Sequence, residues 1–255
     1  VRGKSLMLIE LGTEPLEQGV NILGAHIDSP RLDVKQNPLE ERNDIATLDT
    51  HYYGGVKTYQ WATLPLAIHG VVAKKDGSVI KVVIGEDPSD PVFCVSDLLP
   101  HLAREQMQKK ASELIEGELL DVIVGNRPRA ASDGAEKDQD KEAVKATVLD
   151  ILAEKYDITE EDLLSAELEI VPAGQARDMG LDRSMILGYG QDDRSCAYPS
   201  LLAQLACEAP KRTAVTILVD KEEIGSRGAT SMSSRFFEDV MAELIEAAGQ
   251  GTPLA

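Results

Sequence analysis

The strongest restriction on the fold comes from three short apolar segments that each end in acidic or histidine side chains. The last of them, Ala214–Val219 (AVTILV), has the composition of a fully buried strand. It runs directly into residues 220–226 (DKEEIGS), the glutamate cluster. Side chains alternate across a strand, so we expect Glu222 and Glu223 to point in different directions from nearly the same place. Such a pair suits one carboxylate that holds a metal and one that moves a proton, although adjacent glutamates alone are more often solvated surface.

A second segment covers residues 20–28, a predicted buried strand that closes on the histidine cluster, residues 24–30 (GAHIDSP). His26 and Asp28 are two residues apart and share one face of an extended chain. A metal-binding imidazole commonly has its second nitrogen held by a carboxylate, which fixes its tautomer. The spacing leaves open whether Asp28 bonds His26 directly. A partly buried structural histidine in a turn is the competing interpretation.

The third segment leads into the aspartate cluster, residues 188–197 (GYGQDDRSCA). Asp192 and Asp193 precede a predicted helix, where capping and the helix dipole also favour acids. Ligands of open α/β sheets collect beyond the carboxyl ends of strands, and all three clusters lie at such ends. Histidine nitrogen with carboxylate oxygen is a zinc-compatible donor set. A carboxylate that bridges two metal ions ~3.5–4 Å apart supports hydrolysis, so the clusters together predict a two-metal centre.

The region between the histidine and aspartate clusters predicts a separate block of short strands and two helices. Residues 36–50 are expected to form turns, 127–141 an exposed loop, and Asp76-Gly77 a hairpin. We interpret His51 and His69 as structural or surface histidines, because neither lies beside other metal-binding residue types. Strands are expected at 6–9, 52–61, 64–72, 79–84 and 163–171, and helices at 97–118, 144–152, 198–206 and 234–248.

Composition excludes several classes of partner. The chain has 255 residues, and its net charge of −18 disfavours nucleic acid and anionic membrane surfaces. Acidic ligands are disfavoured too, unless a bound metal reverses the local sign. The apolar runs are far shorter than a membrane span, and no cationic leader opens the sequence. Three cysteines, without metal-ligand spacing or an even disulfide framework, favour a reducing cytoplasm.

Four ordered motifs give the chain a family resemblance: GAHIDSPRLD at 24–33, HYYGG at 51–55, GYGQDDR at 188–194 and DKEEIGS at 220–226. Together they resemble the bacterial branch of the aspartyl-aminopeptidase family of co-catalytic zinc exopeptidases, over essentially the whole chain. The resemblance implies an α/β fold: a zinc-exopeptidase-like mixed sheet flanked by helices, with an inserted α+β dimerisation domain. The implied catalytic domain is 1–34 plus 176–255, incomplete at both ends, and the insertion is 35–175.

The resemblance also implies a role for each matching residue. His26 would bind one zinc ion, and Asp28 would orient it. Asp192 would bridge two zinc ions, for which cobalt or manganese can substitute, and Glu223 would bind the second. Glu222 would be the general base that takes a proton from the bridging water and returns it to the leaving amine. The implied reaction removes the N-terminal residue, Asp or Glu, from peptides.

Two further implications concern assembly and completeness. Relatives form homodimers that assemble into dodecamers, and His101 is matched to a histidine that reaches into the partner's active site. Asp193 is the residue most easily confused with the bridging aspartate. The family centre needs one more Asp and one more His, yet only Asp239 follows the glutamate cluster and no histidine follows His101. We therefore expect these 255 residues to be an incomplete, inactive copy.

Two other functions stay open on the sequence alone. A two-metal deacylase or carboxypeptidase would use the same fold. A catalytically inactive assembly protein would keep the fold with a decayed metal site.

Overall fold

The computed structural model of the protein describes residues 2–130 and 141–249, so most of the predicted loop 127–141 lies outside the described residues. The chain divides into two compact units, Val1–Pro30 with Gly188–Ala255, and Arg31–Leu187. The sequence predicts these boundaries near residues 34 and 176. The predicted mixed α/β fold class is confirmed. No helix among the residues described is long and apolar enough to cross a membrane.

The regular elements are named in chain order. The strands are β1 Leu6–Glu10, β2 Asn21–His26, β3 Arg31–Arg42, β4 Ile45–Tyr53, β5 Leu66–Ala73, β6 Val79–Ile84, β7 Val122–Gly125, β8 Ala166–Pro172, β9 Arg177–Met179, β10 Met185–Leu187 and β11 Ala214–Val219. The α-helices are α1 Ala143–Tyr156, α2 Gln191–Leu205 and α3 Phe236–Ala247.

The first unit, Val1–Pro30 with Gly188–Ala255, is built on a three-stranded sheet in the order β1-β11-β2. β1 is antiparallel to β11, whereas β11 is parallel to β2 with Val219 opposite His26. α2 packs on this sheet through a small core of Ala25, Ala197 and Leu218. Because β2 and β11 are parallel, their carboxyl ends lie at the same edge, and the histidine and glutamate clusters leave the sheet together.

The second unit, Arg31–Leu187, contains a six-stranded antiparallel sheet in the order β6-β5-β8-β3-β4-β7 and a separate β9–β10 hairpin. α1 packs against β4 and β7. Its first turn is fixed by the Glu41 carboxylate, which accepts the backbone N–H groups of Val144 and Lys145 at 2.9 Å each. The largest fully buried apolar side chains of this second unit include Leu32, Leu66, Leu120, Ile158 and Ile170.

Most predicted elements are confirmed. The strands 79–84 and 214–219 match β6 and β11, and the helices 144–152, 198–206 and 234–248 lie within or overlap α1, α2 and α3. The hairpin signal is also confirmed: β5 and β6 are antiparallel, and Gly77 between them has a φ of +85°. β8 begins later than the predicted strand 163–171, after a short 3₁₀ helix at Glu161–Ser165.

The prediction of turns at 36–50 is confirmed only at Asn43-Asp44, where both residues have positive φ, and is wrong elsewhere because the segment belongs to the paired strands β3 and β4. The buried residues Ala46, Leu48 and Thr50 alternate as in a half-buried strand, but polar and charged neighbours disguise the pattern. Pro38 fits within β3 because the register of β3 against β4 shifts there. The predicted strand 52–61 is also wrong beyond β4, where the chain turns into a 3₁₀ helix at Thr58–Gln60.

The predicted helix 97–118 is wrong as well. The chain there forms three short 3₁₀ helices, Gln106–Gln108, Ala111–Glu113 and Gly117–Leu119. Leu98 and Leu102, which suggested a buried helical face, are exposed. Without a face packed against a core, most of the stabilisation of a helix in a protein is lost.

Candidate metal centre

The glutamate cluster folds back on itself as soon as β11 ends. Lys221 takes a left-handed conformation with φ of +68°, and Glu222–Ile224 forms a 3₁₀ helix that ends at Gly225, φ +82°. One ligand atom from each of His26, Glu222 and Glu223 lies within 4.8 Å of the other two. The expectation that the two glutamates diverge is therefore wrong, because the chain turns helical before the alternation of the strand can separate them.

His26 is held through both ring nitrogens. Its Nδ1 is 2.9 Å from the backbone carbonyl oxygen of Asp28 and 3.3 Å from Oδ1 of the same residue. Its Nε2 is 3.1 Å from Asp192 Oδ1 and 3.7 Å from Glu222 Oε2. When Nδ1 carries the proton and donates to Asp28, Nε2 is left with the lone pair that a metal needs.

The pKa of His26 is raised, although burial alone would lower it. Hydrogen bonds to the Asp28 carbonyl and the Asp192 carboxylate, and the charges of Asp28 and Glu222, outweigh the burial. The same negative surroundings that favour an imidazolium ion also favour a metal cation beside the ring.

The structure shows how Asp28 contacts His26, which the spacing of the two residues left open. Its side chain is 1% exposed, and the contact to the imidazole is made chiefly by its backbone carbonyl. Its two carboxylate oxygens instead accept the backbone N–H groups of Glu222 at 3.1 Å and Glu223 at 3.2 Å. Asp28 therefore connects the histidine cluster to residues 220–226, whose folded backbone we call the glutamate turn. Sequence reasoning missed this contact because its partners are 194 and 195 residues away.

The two adjacent aspartates have different surroundings. The Asp192 side chain is 86% exposed and faces the His26 ring. The Asp193 carboxylate turns inward and accepts the backbone N–H of His26 at 3.2 Å. Burial acts to raise the pKa of Asp193, but hydrogen bonds from Cys196 and from the His26 amide lower it overall. Asp193 thus fixes the start of α2 against β2, and Asp192 is presented to the imidazole.

Carboxylates crowd this edge of the sheet. Burial raises the pKa of Glu223, and the charges of Asp28, Glu222 and Asp192 raise it further while His26 opposes them. A divalent cation relieves repulsion of this kind by reversing the local sign of charge. One imidazole nitrogen with several carboxylate oxygens is a donor set that zinc accepts, so the residues present fit the ion.

The remaining candidates have other partners or belong to the other unit. His101 is exposed and belongs to the unit Arg31–Leu187. His51 Nδ1 is 2.7 Å from Glu118, His69 Nε2 is 2.8 Å from Glu86, and Asp239 pairs with Arg235, the residue before α3. Among residues 2–130 and 141–249, only His26 and the two glutamates form a group of three side chains able to hold one metal ion.

Comparison with known proteins identifies the family. Residues 2–254 match the family model described as aminopeptidase I zinc metalloprotease (M18). The chain belongs to the M18 family. It is 60% identical over 248 residues to a probable M18 family aminopeptidase 1 of Clostridium acetobutylicum, covering 97% of this chain and 52% of that protein. The corresponding M18 protein of Thermotoga maritima is 48% identical over 248 residues, with the same coverage.

Solved M18 structures share the fold. The crystal structure of the T. maritima M18 aminopeptidase superposes with a TM-score of 0.89, covering 99% of this chain and 54% of that one. Aminopeptidase I from C. acetobutylicum gives 0.87, covering 96% and 53%. The S. cerevisiae mApe1 dodecamer, 19% identical with a TM-score of 0.67, covers 97% and 54% and shares the fold. The chain spans about half the length of these relatives.

Proposed function

We propose that the full protein is a zinc aminopeptidase that removes the N-terminal residue of peptides with two zinc ions and a glutamate general base. One observation carries the proposal: the His26 ring, the Asp192 carboxylate and both glutamates converge at the carboxyl ends of two parallel strands. M18 membership supports zinc and aminopeptidase chemistry.

His26 and Glu223 would each hold one zinc ion, and Asp192 would bridge the two. When bound, zinc supplies Lewis acidity, which lets a water molecule lose a proton near neutral pH and so become able to attack a peptide carbonyl. Glu222 is suited to the proton transfers because its side chain is 54% exposed and lies 3.7 Å from the His26 ring. It would take the proton of the attacking water and deliver it to the leaving amine. Asp28 holds the ring by its carbonyl and the glutamate turn by its carboxylate.

The full protein would also supply the remaining metal ligands and form an oligomer. The remaining Asp and His ligands would come from segments outside these 255 residues. The inserted region 35–175 would form the homodimer, and His101 would reach the partner's active site. A dodecamer is the assembly named for S. cerevisiae mApe1, and we propose the same closed assembly for this protein in a reducing cytoplasm. The free cysteines agree with such a compartment.

The test separates metal binding from proton transfer in the full chain. Glu223→Ala is expected to abolish one zinc site, measured as metal per protein after dialysis. Glu222→Gln is expected to keep zinc and to lower kcat about 10²- to 10⁴-fold, the usual contribution of a general base. Glu208→Gln, an exposed glutamate in the same unit, is the matched control and should change neither quantity. If wild-type protein binds zinc no better than the Glu223→Ala variant, the proposal is refuted.

A substrate series tests specificity. At matched metal content, Asp- and Glu-anilides should be cleaved faster than Leu- and Lys-anilides, and acetylated peptides should be inert. Preference for Leu would remove the acidic assignment, and cleavage of acetylated peptides would favour a deacylase or carboxypeptidase.

A further inference from the structure

A cluster of three buried polar residues lies behind the glutamate turn. Ser5, Asp220 and Thr230 are 6%, 8% and 5% exposed. The Thr230 hydroxyl donates to Asp220 Oδ2 at 2.6 Å, and the Asp220 backbone N–H donates to Ser5 Oγ at 3.1 Å. Ser5 Oγ in turn donates to the Thr230 carbonyl. We call these three residues the anchor cluster, since their hydrogen bonds close a ring.

The sheet brings the anchor cluster together. β1 is antiparallel to β11, and Leu6 pairs with Leu218. The residue before β1, Ser5, therefore lies beside the carboxyl end of β11, where Asp220 begins the glutamate turn. A single hydroxyl can then bond both ends of the loop 220–230. Ser5 thus adds a second link beside the direct Thr230–Asp220 hydrogen bond, although it lies 215 residues before Asp220 and 225 before Thr230 in the sequence.

The loop between these ends is a closed unit. The Ser226 N–H donates to the Lys221 carbonyl at 2.8 Å. Gly228 has a φ of +132°, and a Cβ there would lie 2.8 Å from Cδ of Lys221, so the lysine stem runs across the glycine. Asp28 accepts the N–H groups of the glutamate turn. The loop is thus fixed at its ends by the anchor cluster and at Glu222 and Glu223 by Asp28.

Burying the polar groups of the anchor cluster is an inefficient way to stabilise a protein if their role is only structural. Asp220 is a buried carboxylate that accepts the Thr230 hydroxyl. Apolar side chains of similar volume often stabilise a protein more than buried charged groups do. Directional hydrogen bonds, by contrast, fix one geometry. The geometry fixed here is that of the segment carrying Glu222 and Glu223.

We propose that Ser5, Asp220 and Thr230 are positioning residues for the candidate metal centre. They hold the start and end of the loop so that the Glu222 and Glu223 carboxylates stay opposite the His26 ring. The effect on metal binding rests on the proposed function. The effect on the loop itself does not, since it concerns backbone order in the metal-free protein.

The experiment compares two buried threonines in the full chain. Thr230→Val replaces the anchoring hydroxyl with a methyl group of similar size, and Thr230→Ser keeps the hydroxyl. The matched control is Thr213→Val: Thr213 is 3% exposed, its Oγ1 accepts the Gly12 N–H at 3.0 Å, and it precedes β11 at the opposite end of the strand. Two quantities are measured: amide hydrogen exchange at Glu222 and Glu223 without metal, and the zinc dissociation constant by competition with a chelator.

Thr230→Val is expected to speed exchange of both glutamate amides about tenfold or more and to weaken zinc binding about 10- to 100-fold, as loss of groups that orient ligands does. Thr230→Ser should resemble wild type, and Thr213→Val should change neither quantity. Equal effects of Thr230→Val and Thr213→Val, or no effect of Thr230→Val, would overturn the proposal. If Thr230→Val does not fold, Ser5→Ala is expected to give the same two changes, and its failure to do so also overturns it.

A further comparison distinguishes failure of the proposed metal site from failure of the loop-positioning proposal. If wild type and His26→Ala bind zinc equally, the metal assignment fails. Faster exchange at Glu222 and Glu223 in Thr230→Val than in Thr213→Val would still support loop positioning, and equal exchange would overturn it.

Discussion

Asp28→Asn tests whether the buried carboxylate, and not only the metal, holds the two clusters together. Each oxygen of Asp28 accepts one backbone N–H, from Glu222 at 3.1 Å and Glu223 at 3.2 Å, in a side chain that is 1% exposed. The carboxamide of asparagine offers one acceptor oxygen and places an NH₂ group against the other amide. One backbone N–H then loses its acceptor, which costs about 1–3 kcal/mol, and the other bond loses its ionic character, about 1 kcal/mol more.

The expected loss in free energy of unfolding is therefore about 2–4 kcal/mol. It is measured by guanidinium denaturation of the full chain followed by circular dichroism, with a chelator present so that metal contributes nothing. The control is Asp87→Asn, because Asp87 also accepts a backbone N–H, from Ser89 at 2.8 Å, but in an exposed position. That variant should leave the unfolding midpoint unchanged. An Asp28→Asn protein as stable as wild type, or a control that loses as much, would refute this reasoning.

Three other predictions concern the unit Arg31–Leu187. Gly70→Ala should destabilise the protein by at least about 2 kcal/mol, because a Cβ there would lie 2.0 Å from a backbone oxygen of β8; Gly55→Ala, with nothing within 4 Å, should stay within about 0.5 kcal/mol in the same thermal melt. Glu41→Gln should lose about 1 kcal/mol, measured by chemical denaturation, because its carboxylate caps α1. Burial, helped by Asp49, raises the pKa of Asp121 above its ordinary value, so ionisation of this carboxyl destabilises the folded state. Asp121→Asn should therefore raise stability at neutral pH, and the gain should vanish near about pH 3, as shown by melts at both pH values.

The elements that could be predicted best are those whose residues all favour the same secondary structure. Ala214–Val219 is apolar throughout, and it became β11 with the predicted bounds. The helix at 97–118 failed because apolar residues at roughly helical spacing do not say whether a core will cover them. The strands over 36–50 were hidden because polar and charged residues alternate with their buried ones, although the two strands pair with each other across the turn Asn43-Asp44.

For the candidate site, residue types were predictable and their mutual support was not. The motif at 188–194 offers two aspartates that sequence cannot tell apart by chemistry. The structure separates them by partner: Asp193 accepts the His26 amide, and Asp192 meets the His26 ring. Asp28 plays a similar double part, with its carbonyl on the ring and its carboxylate on the glutamate turn.

These contacts have a consequence for metal binding. In many small metal sites the ligands become ordered only when the ion arrives, so part of the binding free energy is spent on folding. Here protein hydrogen bonds already connect the parts of the site. Asp193 accepts the His26 amide, the Asp28 carbonyl contacts the His26 ring, and the Asp28 carboxylate accepts the Glu223 amide. An edge ordered in this way should lose little conformational entropy on binding an ion. Amide exchange at Glu222 and Glu223 should therefore be almost the same with and without zinc; a large increase in protection on adding zinc would mean that the ion, and not Asp28, orders the turn.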